Sequence, residues 1–337
     1  MQMKEELSMN PLNWATLGCG VIANELATAL ARQNRHLYSV ANRTHEKAVA
    51  FAEKYQISKV YDHLEDVFTD PDVDIIYIST PHNTHIQYLR QALANGKHVL
   101  CEKSITLNAN ELDEAIALAE KNHVILAEAM TIFHMPIYRK LAEIISSGTL
   151  GPLRLVQVNF GSYKEYDMNN RFFNRNLAGG ALLDIGVYAL SLIRWFFAET
   201  ADQVLSQVKY APTGVDEQAG ILLMNPAGEM ATVTLSLHAK QPKRATIAFD
   251  KGYIEIFEYP RAMEAIITYT DDGHKETISS GATSDALSYE VADMEAAVQS
   301  NDLSTIESLM HLTYTQDVMH IMTDIRNNWG MKYPEEA

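Results

Sequence analysis

The stretch GCGVIA, residues 18–23, constrains the fold of this chain more than any other part of its sequence. It follows a short apolar run, residues 14–17, and opens a helical segment, residues 22–31. Glycine permits the tight bend and the close approach of a diphosphate, and the free N–H groups of a helix N-terminus attract negative charge. This arrangement predicts a dinucleotide site, and the alternative is a turn without a ligand. The predicted contacts are Gly18, Cys19, Gly20, Val21, Ile22 and Ala23.

Strands and helices alternate through the first part of the chain. Apolar, β-branched runs predict further strands at 37–42, 60–61, 73–80, 98–102 and 124–129. Amphipathic segments between them predict helices at 46–55, 84–94 and 109–121. Because single helices between strands require crossovers, the sheet must be mostly parallel, with helices on both faces. We therefore predict a Rossmann domain, a doubly wound parallel sheet, at 11–128, after an N-terminal extension at 1–10.

Residues 129–337 predict a second architecture. Extended runs follow one another, separated by turn signals such as NPAG, residues 225–228. The predicted strands are 153–161, 204–210, 218–224, 229–238, 245–249, 253–257 and 264–269. They favour an α+β domain with a large open, mostly antiparallel sheet, covered on one face by helices at 136–147, 181–196 and 287–300. The other face, with alternating residues such as Val233, Leu235 and Leu237, is expected to join a second subunit in a homodimer or tetramer, and the alternative is a solvent-exposed face with scattered apolar residues. The C-terminal helix at 314–327 is expected to pack back on the first domain.

The charge balance narrows the range of partners. Acidic residues outnumber basic ones by 43 to 27, for a formal net charge of −16, so we expect neither nucleic acid nor an anionic membrane. No signal peptide or uninterrupted apolar run of about 18 residues is evident. The only cysteines, Cys19 and Cys101, suit a cytoplasmic protein without disulfides. No metal is expected, because metal-ligand spacings such as H-E-x-x-H do not occur.

The residues after the second strand bear on which dinucleotide binds. An acidic residue here usually binds the ribose hydroxyls of NAD, but this chain has Asn42, Arg43 and, one turn later, Lys47. An arginine can fork onto the 2′-phosphate of NADP and stack on adenine. We therefore predict NADP in preference to NAD, while a solvated arginine in a loop would leave NAD binding intact.

Two further stretches carry a family resemblance. STPHNTH, residues 79–85, and the pair Glu102 and Lys103 at the end of the fifth strand resemble the glucose–fructose oxidoreductase/inositol dehydrogenase (Gfo/Idh/MocA) family. In that family these stretches border the nicotinamide, and the second is usually Glu-Lys-Pro, where this chain has Ser104. Taken by itself, a lysine here could also belong to an ordinary surface loop. The implied cofactor contacts are Thr80, Pro81, Asn83, His85, Glu102 and Lys103.

The resemblance continues in GGALLDIGVY, residues 179–188, which is similar to the second-domain signature of the family. Many members have histidine at the position of Tyr188. Tyrosine at this position resembles the branch that contains dihydrodiol dehydrogenase and NADP-linked xylose dehydrogenase. Asp184 lies four residues earlier, which places both side chains on one helix face. EAM, residues 128–130, is also family-like, but TIFH at 131–134 departs from the Trp and Arg of that branch.

The resemblance implies hydride transfer between a nicotinamide and a sugar, polyol or cyclic diol. We assign Tyr188 as proton acceptor or donor, with Lys103 lowering its pKa and Asp184 orienting the group, although lysine and tyrosine could exchange roles. A non-catalytic NADP-binding sensor is the alternative function, and an enzyme that shuttles hydride between two sugars on a retained nucleotide is a third. Residues expected near the substrate, which could equally be ordinary loop or helix residues, are His82, Arg171, Asn174 and Tyr289.

Overall fold

The protein is described by a computed structural model that covers residues 12–300 and 302–336. The N-terminal extension expected at 1–10 lies outside the described residues. Two sheets organise the chain, a six-stranded parallel sheet and an eight-stranded mixed sheet.

The first sheet has the strand order β3-β2-β1-β4-β5-β6, and every pairing in it is parallel. The order reverses between β1 and β4, which is the point where doubly wound sheets bind ligands. This confirms the predicted Rossmann fold. Its strands are β1 Trp14–Leu17, β2 Ser39–Ala41, β3 Lys59–Val60, β4 Ile75–Ile78, β5 His98–Glu102 and β6 Leu126–Ala129. Its helices are α1 Val21–Arg32, α2 His45–Tyr55, α3 Asp66–Thr69, α4 His85–Ala94 and α5 Ala109–Lys121.

The second sheet has the order β14-β13-β12-β11-β7-β10-β9-β8 and is antiparallel except between β7 and β10. It confirms the predicted large, mostly antiparallel sheet. Its strands are β7 Leu153–Gly161, β8 Gln203–Tyr210, β9 Asp216–Met224, β10 Met230–Ser236, β11 Gln241–Phe249, β12 Gly252–Phe257, β13 Glu264–Tyr269 and β14 Lys275–Ser279. The remaining helices are α6 Thr131–His134, α7 Pro136–Ser146, α8 Val187–Phe196, α9 Ala286–Gln299, α10 Leu303–Met310 and α11 Leu312–Asn328.

Two packing expectations were wrong. Val233, Leu235 and Leu237 are buried in the core of their own chain, so they do not form the outward face of the sheet. Helix α9 packs on α1 and on the parallel sheet, because Leu287 and Val291 join the core on that side. Helix α11 contacts both α5 and α8 and so connects the two halves of the chain.

The helical segment 175–196 is long and apolar enough to cross a membrane, but 83% of its apolar window is buried in the protein. Most of it is formed by a π-helical turn, Leu182–Gly186, and by α8. Its apolar side chains belong to the core beneath the second sheet. This burial identifies it as a core helix.

Candidate active site

The glycine turn between β1 and α1 leaves an open, positively polarised surface. Gly18 has a φ of +110°, and a Cβ there would lie 2.8 Å from Ser79 Oγ, so only glycine lets β1 and β4 approach in this way. A Cβ at Gly20 would meet no described atom closer than 4.0 Å. Within the described chain, α1 begins at Val21 without a side-chain cap. Its first N–H groups are therefore available to a diphosphate, and the turn fits the dinucleotide.

The residues after β2 lie beside this turn, because the N–H of Gly18 donates to Ala41 at the end of β2 (2.9 Å). The amide of Asn42 donates to the carbonyl of Thr44, whereas Arg43 is exposed and has no ion pair among the described residues. Lys47 is also exposed, and its charge is close enough to oppose the rise in the pKa of Cys19, which burial brings to about 11. These two cations are free to meet a phosphate.

Two residues of the loop after β4 have hydrogen-bond partners within the protein, and their cofactor contact stays a prediction. His85 is fully buried, with its ring nitrogens 2.8 Å from the carbonyl oxygen of Thr80 and 3.1 Å from that of Ser104. The amide of Asn83 donates to the carbonyl of Asn176 and to Glu335. Thr80 and Pro81 lie at the carboxyl edge of the sheet, where the dinucleotide contact remains a prediction.

Lys103, at the end of β5, meets the catalytic candidates of the second half. Its ammonium donates to the carbonyl oxygen of Asp184 (2.7 Å) and to the Asp184 carboxylate (3.2 Å). The same nitrogen lies 4.9 Å from the centre of the Tyr188 ring. The structure thus brings together the three side chains that the sequence assigned to catalysis.

Charge complementarity fixes the protonation of the Lys103–Asp184 pair. Burial alone would lower the pKa of Lys103, but the Asp184 carboxylate outweighs it and raises that pKa above its ordinary value. Burial alone would raise the pKa of Asp184, but Lys103 and Arg171 together hold it below its usual range. Burial raises the pKa of Tyr188 to about 12, with Lys103 opposing the rise. The pair is charged at neutral pH and the phenol is protonated.

A π-helical turn makes the contact with Lys103 possible. In Leu182–Gly186 the backbone bonds span five residues, which leaves carbonyl groups free for other donors. The carbonyl oxygen of Asp184 accepts from Lys103, and that of Leu183 accepts from the hydroxyl of Ser104 (2.9 Å). Ser104 is fully buried, so the departure from the family's proline adds a hydrogen bond between the two halves of the site.

Glu102 and Glu290 form a buried acidic pair behind Lys103. The hydroxyl of Tyr77 donates to the carboxylate of Glu102, so this predicted cofactor residue is engaged within the protein. Burial raises the pKa of Glu102, and burial together with Glu102 raises the pKa of Glu290 well above its ordinary value. Neither carboxyl oxygen of Glu290 has a hydrogen-bond partner in the described residues. The sequence analysis missed Glu290, because a helical glutamate gives no sign of being buried.

The residues expected near the substrate have different positions. His82 is buried, and burial together with the charge of Lys103 lowers its pKa to about 3, so it is neutral. A guanidinium nitrogen of Arg171 lies 3.7 Å from the Asp184 carboxylate. Asn174 instead accepts the N–H of Asn176 in a local turn, and the hydroxyl of Tyr289 accepts the N–H of Ala282. Of these four, His82 and Arg171 lie near the catalytic candidates.

A surface groove of about 790 Å³ starts at the glycine turn, and Lys103 is not among the residues that line it. It follows α1 as far as Arg32 and is bordered by Lys54 and Ser284. An exposed group of three possible metal ligands, Asp271, Asp272 and His274, lies in the turn between β13 and β14. His274 already contacts the carboxylate of Asp272 there. Lys103, Asp184 and Tyr188 do not line the groove, but Arg261 does, and its charge opposes the rise that burial causes in the pKa of Tyr188.

Comparison with known protein families shows to which family the chain belongs. Residues 12–130 match the model of the Gfo/Idh/MocA oxidoreductase family with an NAD-binding Rossmann fold. Residues 138–255 match the model of the C-terminal domain of the same family. The chain belongs to the Gfo/Idh/MocA family. It is therefore an oxidoreductase whose first domain binds a nicotinamide dinucleotide.

Individual Gfo/Idh/MocA relatives support this assignment over most of the chain. Trans-1,2-dihydrobenzene-1,2-diol dehydrogenase of Mus musculus is 34% identical over 251 residues, 73% of this chain and 74% of the relative. The enzyme of the same name from Xenopus tropicalis is 29% identical over 330 residues, 95% of this chain and 99% of the relative.

Solved structures share the fold. KijD10, a 3-ketoreductase from Actinomadura kijaniata in complex with NADP and TDP-benzene, superposes with a TM-score of 0.83 at 21% identity, covering 94% of this chain and 98% of its own. The aldose-aldose oxidoreductase from Caulobacter crescentus, complexed with glycerol, also has a TM-score of 0.83, at 22% identity, covering 96% of this chain and 99% of its own.

Proposed function

We propose that this protein is an NADP-preferring dehydrogenase or reductase that transfers hydride between the nicotinamide and a carbinol or carbonyl carbon of a sugar, polyol or cyclic trans-diol. The observation that carries the proposal is the contact of Lys103 with Asp184 and Tyr188 at the carboxyl edge of the parallel sheet. In open α/β sheets this edge, at the point where strand order reverses, holds the ligand. The names of the diol dehydrogenase relatives and of the aldose-aldose oxidoreductase support the substrate class.

The protein residues supply the proton chemistry. When bound, the nicotinamide accepts or donates the hydride. Tyr188 is half-buried, and its hydroxyl has no hydrogen-bond partner among the described residues, so it is available to a substrate oxygen. With a raised pKa it is a proton donor in carbonyl reduction, and Lys103 stabilises the phenolate that results. Asp184 holds Lys103 in position.

The preference for NADP is supported by the cations beside the glycine turn. Arg43 and Lys47 are exposed next to the end of β2, where NAD enzymes usually carry a carboxylate. An unpaired guanidinium can bind a 2′-phosphate through two parallel hydrogen bonds.

The test is reduction of NADP⁺ by a panel of aldoses, polyols and trans-diols, with Lys103→Met and Tyr188→Phe as variants. We expect turnover of at least one class of substrate and a loss of about 100-fold or more in each variant, because general acid–base groups contribute this much. Unchanged turnover in both variants would refute the assigned roles. Tight NADPH binding without turnover of any substrate would favour the sensor function.

We also propose that the outer face of the second sheet forms a homodimer. Met230, Leu155, Ala248 and Tyr253 are cross-strand neighbours and form one continuous apolar row across β10, β7, β11 and β12. Met230 and Leu155 are exposed in the single chain, as are Leu205 and Phe257. A contiguous apolar surface on a folded chain favours a protein interface.

We further propose a cytoplasmic location, with neither nucleic acid nor a membrane as partner. The acidic surface charge and the two free cysteines support this. Fractionation of cells that express the tagged protein would test it.

A further inference from the structure

Cationic side chains surround the Lys103–Asp184–Tyr188 group, although the chain as a whole carries a net charge of −16. Three of them, Lys164, Arg171 and Lys243, are here named the cationic rim. Lys164 and Arg171 lie in the segment that follows β7, and Lys243 lies in β11. A negatively charged ligand would stabilise this local concentration of positive charge.

Lys164 and Arg171 lie beside the same aromatic ring, and Arg171 also approaches the catalytic group. The ammonium of Lys164 and the guanidinium of Arg171 each lie 4.2 Å from the centre of the Phe172 ring. Arg171 also approaches the Asp184 carboxylate at 3.7 Å. The Asp184 carboxylate already pairs with Lys103 at 3.2 Å, so this single negative charge is shared between Lys103 and Arg171.

Lys243 approaches the site from β11, the strand that pairs with β7. Its ammonium lies 5.2 Å from the centre of the Phe160 ring, and that ring lies 6.1 Å from the ring of Tyr188. The carboxylate of Glu258 pairs with Lys243 at 2.9 Å, but the Glu258 side chain is 67% exposed, so solvent weakens this pair.

The cations outnumber their counter-charges. Asp184 and Glu258 form ion pairs with three of the four cationic groups, and Glu102 adds one buried carboxyl group beside Lys103. Lys164 has no ion pair within the described part of the chain. Burial lowers the pKa of Lys164, as do the charges of Arg171, Lys103 and Lys243, against the opposing effect of Asp184. A half-buried lysine without an ion pair, beside other cations, would be stabilised by an anion that pairs with it.

We infer that the substrate carries an anionic group, a carboxylate or a phosphate, which binds to the cationic rim while its carbinol carbon lies against Lys103 and Tyr188. The inference rests on the proposed function and narrows the substrate from a neutral sugar or diol to a sugar acid or a sugar phosphate. Lysine and arginine donate to both oxyanions, so the two sources share one chemistry.

The experiment compares matched ligands on the NADPH-bound protein. Glucose, galactose and mannose are each titrated beside their uronate and their 6-phosphate, and dissociation constants are measured by calorimetry. For at least one sugar we expect a charged form to bind about tenfold more tightly than the neutral form, because a charge-assisted hydrogen bond contributes this much. Raising the salt concentration should shrink the difference. Preference for the uronate or for the 6-phosphate identifies the source of the anion.

Lys164→Gln should abolish the difference between charged and neutral ligands, whereas Lys275→Gln, which removes an exposed lysine on the edge strand β14, should preserve it. The dissociation constant for NADPH, measured in parallel, shows whether each variant is folded. Equal binding of charged and neutral forms to the unaltered protein, or a difference that persists in Lys164→Gln, would overturn the inference. Failure of the proposed function would appear separately, as unchanged turnover in Tyr188→Phe.

Discussion

Tyr188 shows how one residue can be located from sequence while its ionisation cannot. The spacing of Asp184 and Tyr188 predicted that these two share a helix face, and the family resemblance implied that Lys103 belongs to the same group. The sequence analysis also expected Lys103 to bring the tyrosine pKa towards neutrality. In the structure, burial outweighs the lysine and raises that pKa to about 12. Sequence does not report desolvation, which depends on how deeply the ring is packed.

A prediction about pH follows from this raised pKa. As a general base in alcohol oxidation, Tyr188 must be deprotonated, and the fraction in this form rises with pH throughout the range below the pKa. We expect kcat/KM for oxidation to increase from pH 7 to pH 9.5, and the increase to disappear in Tyr188→Phe. Initial rates in buffers of constant ionic strength measure this. A flat profile in the unaltered enzyme would show that another group takes the proton.

Arg43 carries the prediction for cofactor choice. Arg43→Ala removes the exposed guanidinium beside β2, so the affinity for NADPH should fall by about tenfold or more while that for NADH stays constant. Fluorescence titration with both cofactors measures the change. Arg90→Ala is the control, because this arginine pairs with Glu114 on the surface between α4 and α5. An equal loss for NADPH and NADH would contradict recognition of the 2′-phosphate.

Single residues also show what a sequence motif does not predict, namely the direction of each side chain. The family pattern predicts cofactor contacts for His85 and Asn83. The ring nitrogens of His85 and the amide nitrogen of Asn83 bond to the protein, whereas Asn83 Oδ1 has no partner in the described residues. Of the cationic rim, Arg171 was expected near the substrate, whereas Lys164 and Lys243 belong to no motif and were not predicted. A motif locates a loop at the edge of a sheet, whereas the direction of each side chain depends on packing from distant parts of the chain.

At the scale of elements, the sequence predicted the parallel strands well, because buried parallel strands read as continuous apolar runs. It missed β14, Lys275–Ser279, whose side chains are almost all exposed. It also read residues 181–196 as one regular helix. The π-helical turn at its start has no sequence signature, and its carbonyl groups accept hydrogen bonds from Lys103 and Ser104.

Ser104 connects β5 to this turn, and its removal should disturb catalysis more than cofactor binding. Ser104→Ala leaves the carbonyl of Leu183 without its donor and loosens the position of Lys103. We expect kcat to fall by about tenfold or more, with the dissociation constant for NADPH unchanged, because small misplacements of catalytic groups are costly. Ser104→Thr, which retains the hydroxyl, should recover part of the activity. Full activity in Ser104→Ala would show that the hydrogen bond has no positioning role.

Asp216, at the start of β9, binds the N-terminus of the helix that carries Asp184 and Tyr188. Its carboxylate accepts the N–H of Leu182 (2.6 Å), while its second oxygen is buried without a partner in the described residues. Burial raises its pKa from 3.8 to about 7, despite the backbone donors. Because the folded pKa exceeds the unfolded one, folding disfavours the carboxylate, and the stability from this group is lost as pH rises from about 4 to 7.

Asp216→Asn should therefore become progressively more stable relative to the unaltered protein between pH 4 and pH 7, by a change on the order of 2–4 kcal/mol. Urea unfolding at several pH values measures the difference. Asp271→Asn, at an exposed turn, provides the control. A difference in stability that does not change with pH would mean that Asp216 titrates in the folded protein as it does in the unfolded chain.

At the scale of the whole molecule, the two halves are less separate than the sequence suggested. Helix α9, expected on the second sheet, covers the parallel sheet through Val291 and Met294, and the indole of Trp14 in β1 donates to Glu295 on it (2.8 Å). An amphipathic helix presents an apolar face but does not specify which sheet receives it. The placement of α9 was therefore beyond the reach of local sequence patterns.

A prediction for the whole molecule concerns the proposed dimer. Leu155→Glu places a charge in the middle of the apolar row on the second sheet and should convert the dimer to a monomer, because burying an unpaired charge in an interface is unfavourable. Size-exclusion chromatography with light scattering measures the mass. Leu303→Glu, at an exposed position on α10, should leave the mass at that of two chains. A monomeric unaltered protein would refute the dimer.

The central claim is that the Lys103–Tyr188 pair handles the proton that accompanies hydride transfer. The most direct measurement is the single-turnover rate of NADPH oxidation by a carbonyl substrate in Tyr188→Phe, with the NADPH dissociation constant determined on the same protein. We expect the cofactor affinity of Tyr188→Phe to lie within about twofold of that of the unaltered enzyme, and its hydride-transfer rate to be lower by about 100-fold or more. A rate within about threefold of the unaltered enzyme, at the same cofactor affinity, would contradict it.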